Sequence, residues 1–174
     1  MNRFSKTDLL AGVAIVISLT LAILSVKGDS ITTDESPHIT AGYSYLTQKD
    51  MRLNPEHPPL MKDLAAVPLF FQKINFDAEH PAWKTEVNGQ WSFGPHFLFE
   101  SGNDPDKIAF SARLAVMFIF VLLGLLVYKW GKEKYGNTAG ILALILTVFS
   151  PNVIAQARYV TTDVAAAFGF ALAA

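Results

Sequence analysis

The chain has 174 residues, 51% of them hydrophobic, with a mean hydropathy of +0.31 and a formal net charge of -1. That apolarity excludes an ordinary soluble domain and points to a membrane protein. The charge leaves no basic face for nucleic acid, and the absence of cysteine excludes disulfides and thiolate metal sites.

The first element is a charge-free apolar run, Leu9 to Val26. About 20 helical residues cross a bilayer core, so this run is a candidate span. A secretory signal peptide is the rival reading, with Arg3 and Lys6 as its basic start and Gly28 near a cleavage site. The length of the run favours an uncleaved anchor.

The polar stretch that follows holds all four histidines and eight of the nine prolines, and its acids outnumber its bases. In "TTDESPHITAGYSYL", Thr33 is placed to cap a helix whose first turn carries Asp34 and Glu35, acids that suit the positive helix end. Asp34 and His38 then stand at i and i+4 on one face, where they can share a metal or a proton, or simply decorate a capped surface helix. In "NPEHPPLMKDLAAVPLFF", Pro58 and Pro59 set a helix entry. Leu60, Leu64, Val67, Leu69 and Phe70 form its apolar side, with Lys62 and Asp63 opposite, as in a helix lying at a membrane interface. Glu56 and His57 stand just before it. No HExxH zinc motif is present, and the wide spacing of His38, His57, His80 and His96 argues against a histidine metal sensor.

Asp104 and Pro105 read as the N-cap and first residue of a second spanning helix, running through "KIAFSAR" and Leu114 to Tyr128. Arg113, near its start, can snorkel or grip a phosphate bidentately. "KWGKEKYG" is predicted as a short loop bearing three lysines. A third run, Ala139 to Ser150, is predicted to end at Pro151, and residues 151–162 to form a short turn. Arg158 there carries the same two readings as Arg113. A fourth run starts near Asp163, a second "TTD" acid. A carboxylate at the head of a span is costly unless it faces a polar partner or caps its helix. The chain stops inside this run, so a longer protein is expected.

The basic residues orient these elements: Arg3 and Lys6 put the N-terminus in the cytoplasm, as do the lysines of 129–135 for their loop. The expected organisation is a cytoplasmic start and first span over 1–26, an outer loop over 27–112, and spans two to four over 113–174, the last incomplete. Both "TTD" triplets then lie on the outer face. The non-enzymatic alternative is a membrane accessory or transporter subunit whose outer loop binds a partner.

Five motifs in order, "TTDES", "GYSYL", "EHPPLMK", "SARLAV" and "ARYVTTD", resemble the N-terminal part of polyprenyl-phosphate-sugar-dependent glycosyltransferases. These have the GT-C fold, and protein O-mannosyltransferases and lipid A aminoarabinose transferases are the nearest in pattern. The resemblance implies an all-helical multi-span bundle with a large helical first outer loop, cut off in span four. It also implies a plasma (inner) membrane enzyme that moves a sugar from a polyprenyl-phosphate donor to a protein, lipid or glycan acceptor, with inversion. By motif match, Asp34, Glu35 and Asp163 would be the catalytic acids, and His57, Lys62, Arg113 and Arg158 would hold the donor phosphate or substrate. His57 stands where the aminoarabinose transferases have lysine. Some relatives bind a divalent ion near these acids, and Asp34, His38, Glu56 and Asp163 are the candidate ligands. The fragment alone would be inactive.

Overall fold

A computed structural model describes residues 5–173, and every described element is helical. Helix α1 (Lys6–Val26) opens with a capping box: the Ser5 hydroxyl accepts from the Asp8 amide, and the Asp8 carboxylate accepts from Ser5. Helices α2 (Glu35–Gln48), α3 (Leu60–Ala66), α4 (Pro81–Thr85) and α5 (Gln90–Pro95) build the large loop. A 3-10 turn (Val67–Phe71) continues α3, and a π turn (His96–Glu100) follows α5. Helix α6 runs over Pro105–Tyr135, then α7 (Asn137–Val148), α8 (Pro151–Ala157) and α9 (Asp163–Ala173). Helices α1 and α6 are each long and apolar enough to cross a membrane, and α7 with α8 makes a further candidate, bent by 61°. Arg3, one of the two N-terminal charges used for orientation, lies outside the described residues.

The chain forms two compact units. One holds the large loop, the start of α6 through Val116 and the short segment 159–161. The other holds α1, α6 from Met117 on, α7, α8 and α9.

In the span unit, three expectations are corrected. The Asp104 cap is present, its carboxylate accepting from the Lys107 amide at 3.0 Å, but α6 does not stop at Tyr128. "KWGKEKY" is helical, since lysine and glutamate are good helix formers, and Lys129 and Glu133 face each other one turn apart. The turn is confined to Gly136, whose φ of +89° suits glycine. Helices α6 and α7 approach closely where Gly131 meets Gly140; a Cβ on Gly131 would lie 2.9 Å from the Gly140 Cα, a packing that small residues allow between membrane helices. Residues 151–157 are helical too. Pro151 ends α7 and, as the first residue of α8, also starts the next helix. On α1, the second Asp8 oxygen takes the Tyr128 hydroxyl at 2.7 Å and the Lys132 ammonium.

In the loop unit, α2 is the central element. Its buried residues include Ile39, Ala41, Gly42, Ser44 and Tyr45. Gly42 lets α3 approach: a Cβ there would stand 2.0 Å from the Lys62 carbonyl oxygen. An aromatic core of Tyr43, Phe76, Trp83, Phe93 and Phe97 fills the space beside it; Phe76 meets Trp83 edge-on at 4.9 Å and Phe93 at 5.1 Å.

Segment 60–71 is helical as expected, with most of its apolar side exposed as a helix at a membrane interface requires, but Lys62 on the opposite side is buried in the protein instead of facing water. Lys62 is fully buried with Met61, Ala65, Ala66 and Leu69, while Leu60, Leu64, Val67, Phe70 and Phe71 are exposed. The apolar stripe therefore faces outward, and the ammonium faces in. The reason is that Lys62 finds a complete set of acceptors inside.

Candidate functional site

The site is built on the start of α2. Asp34, not Thr33, occupies the N-cap position, and its side chain makes no capping bond. Instead Glu35 reaches back and accepts from the Thr32 amide at 3.0 Å and the Thr32 hydroxyl at 3.2 Å. Of the three acids in residues 29–35, Asp34 is exposed, Asp29 is half-buried and Glu35 is fully buried.

Beneath Asp34 lies a buried ion pair. The Arg113 Nε donates to Glu35 Oε1 and its Nη2 to Glu35 Oε2, both at 2.7 Å, and the two side chains are 2% and 0% exposed. Such two-pronged pairs are the strong form of charged hydrogen bond. Arg113 also donates to the backbone carbonyls of Asp29 (3.3 Å) and Ser30 (3.0 Å). The Tyr159 ring covers the guanidinium at 5.2 Å, and the Tyr159 hydroxyl donates to Asp29 Oδ2 at 2.9 Å. The Val160 amide donates to Glu35 Oε1 at 3.1 Å. The pair thus ties residues 29–35 to the segment that leads into the second "TTD".

Lys62 centres a second buried network. Its Nζ meets the backbone carbonyls of Asn54 (2.7 Å) and His57 (2.8 Å), Asn54 Oδ1 (3.0 Å) and the Tyr45 hydroxyl oxygen (3.1 Å). The Tyr45 hydroxyl donates in turn to the Asn54 carbonyl at 2.6 Å. Burial pushes the Lys62 pKa down to about 8 and the Tyr45 phenol up to about 12. The chain of contacts continues through Asn54, Gln90 and Asn88 to the exposed Glu56. Lys62 is therefore the peg that closes the "NPEHPP" turn onto α2, and its ammonium is enclosed by protein oxygens.

The remaining sequence candidates divide. His57 is exposed and meets the buried His38 ring edge-on at 5.3 Å. The other two histidines pair separately: His80 stacks on His96 at 4.0 Å, and His96 bridges Asp77 and Glu100. Among the described residues, no three histidine, aspartate or glutamate side chains gather as metal ligands. In the span unit, Arg158 donates to the Ser25 carbonyl at 3.0 Å. Asp163 starts α9 and borders a cavity of about 200 Å³ with Leu123, Asn152 and Gln156. Sequence reasoning missed Tyr159 and the Asn54–Gln90–Asn88 chain. Tyr159 stands in the quoted "ARYVTTD" stretch, but nothing in its spacing marks a partner 130 residues earlier.

These features define an integral membrane protein whose helical loop exposes one acid above a buried ion pair. Residues 16–174 match the family described as dolichyl-phosphate-mannose-protein mannosyltransferase, and the chain belongs to that family. No curated protein and no solved structure matches it. The all-helical membrane fold of GT-C type expected from the motifs is thus borne out. The family is one of membrane glycosyltransferases that take mannose from a polyprenyl-phosphate carrier.

Proposed function

We propose that Asp34 is the general base of an inverting mannosyl transfer from a polyprenyl phosphate to a protein hydroxyl at the outer membrane face. The observation that carries this is the contrast at the head of α2. Glu35 and Arg113 are buried and engaged with each other, whereas Asp34 beside them is exposed and makes no capping bond. Asp34 accepts the hydroxyl proton as the acceptor oxygen attacks the sugar's anomeric carbon. The bond from that carbon to the phosphate oxygen breaks, and polyprenyl phosphate leaves with the electron pair. A positioned base supplies roughly 10²–10⁴-fold in such a step.

Within the loop unit, the exposed His57 is the side chain best placed to donate a hydrogen bond to the leaving phosphate. Arg113 and Lys62 are unsuited to that role, because their donors already meet protein oxygens. No step is routed through a metal ion. The outer-face assignment rests on the lysines of 129–135, which favour the cytoplasm for the opposite ends of the spans.

The test is Asp34→Asn in the complete protein in membranes, with a polyprenyl-phosphate mannose donor and a serine- and threonine-rich peptide. Turnover should fall by about 10²–10⁴-fold while donor binding stays as in the parent. Near-parental turnover would remove Asp34 from the mechanism.

A further inference from the structure

We propose that Glu35 is a positioning residue rather than a reacting acid, and that with Arg113 and Tyr159 it sets the place of Asp34. This rests on the reading of Asp34 as the base. A carboxylate offers about four lone-pair sites. Those of Glu35 are filled: Oε1 takes the Arg113 Nε and the Val160 amide, and Oε2 takes the Arg113 Nη2 with the Thr32 amide and hydroxyl. Glu35 is also 0% exposed. It has neither a free lone pair nor a path by which to take a substrate proton.

The same contacts leave Asp34 little freedom of backbone. Asp29 is held by the Tyr159 hydroxyl, the Asp29 and Ser30 carbonyls by Arg113, and Thr32 by Glu35. The Glu35 amide donates back to the Thr32 carbonyl at 3.2 Å, closing the turn that carries Asp34. Tyr159 acts twice, through its ring on the guanidinium and its hydroxyl on Asp29. Residues 159–160 are thereby fastened to the stretch that presents the base. This gives the repeated triplet a physical meaning: Thr32, which opens the first copy, and Val160, just before the second, both donate to the same buried carboxylate.

The experiment compares Glu35→Gln, Tyr159→Phe and the double variant with the parent, measuring kcat, donor KM, donor binding and the pH dependence of kcat. Tyr159→Phe keeps the ring and removes the hydroxyl that bonds Asp29, so it remains informative if Glu35→Gln fails to accumulate. A displaced reacting group costs on the order of 10²-fold, so Glu35→Gln should lower kcat by about that factor and Tyr159→Phe by less. Donor KM and donor binding should hold. The double variant should be less impaired than the product of the two single effects, since both act on one network. The acid limb of the kcat profile should persist in every one of these variants, because each keeps the Asp34 carboxylate. Loss of that limb in Glu35→Gln would mean that Glu35 itself reacts. Parental kcat in Tyr159→Phe would mean that the network does not set the base. Neither result resembles failure of the functional reading, which would show as undiminished turnover in Asp34→Asn.

Discussion

Gly42→Ala in α2 tests the loop architecture most directly. The added Cβ would lie 2.0 Å from the Lys62 carbonyl oxygen and 2.4 Å from its carbon. Ordinary contact begins near 3.4 Å, so α2 and α3 must part by roughly 1.4 Å at that point. Overpacking of this kind costs about 1–3 kcal/mol. Moving α3 also drags Lys62 from its oxygens, and a hydrogen bond to a charged group contributes about 1.5–3 kcal/mol. Alanine returns about 1 kcal/mol of helix propensity over glycine. The balance is a loss of roughly 2–4 kcal/mol. For a chain of this size that lowers the unfolding midpoint by roughly 5–15 °C, readable by scanning tryptophan fluorescence of the detergent-solubilised protein. Gly12→Ala in α1 is the control, because nothing stands within 4 Å of its Cβ position. Its midpoint should stay at or above that of the parent. A Gly42→Ala midpoint equal to the Gly12→Ala one would refute the close approach of α2 and α3.

Lys62→Met should leave donor KM near the parental value, since the ammonium is enclosed; a large rise in KM with folding intact would restore Lys62 as a phosphate ligand. Lys62 also links stability to pH. Its folded pKa of about 8 lies below the ordinary 10.5. Between those values the unfolded chain holds a proton that the folded one has released, so this residue makes stability rise with pH in that window. The rise should be missing from Lys62→Met, and identical pH profiles for the two proteins would contradict the burial of the amine. The exposed stripe of Leu60, Leu64, Val67 and Phe71 fits a lipid surface. In vesicles, Phe71→Trp should therefore gain a blue-shifted emission quenched by brominated phosphatidylcholine. Added emission at the wavelength of tryptophan in water, indifferent to bromine, would place the stripe elsewhere.

The spans were legible because their signal is local. Eighteen charge-free residues give α1, and an aspartate-proline pair gives the start of α6. The errors were local as well. A lysine-rich stretch looks like a loop when only charge is weighed, yet lysine is a good helix former and "KWGKEKY" extends α6 by two turns beyond Tyr128. Pro151 reads as a stop from one side and as a start from the other, and α8 uses the second property.

What the candidate residues touch was not legible in the sequence, and the cause is burial. Periodicity places Lys62 on the polar side of an amphipathic helix because a charged side chain usually faces water. That rule fails where a protein supplies oxygens enough to replace the water, as Asn54, His57 and Tyr45 do. Arg113 and Glu35 follow the same logic. Each alone resembles a functional charge near a membrane edge, and together they satisfy one another out of solvent. Breaking such a pair by removing one partner costs about 3–5 kcal/mol, so both residues would register as essential under mutation whether or not either touches substrate. Loss of activity in Arg113→Ala is therefore no evidence for a phosphate grip. What separates these acids is exposure: among those of residues 29–35, Asp34 alone is exposed to solvent, which is why the proposed base is placed there.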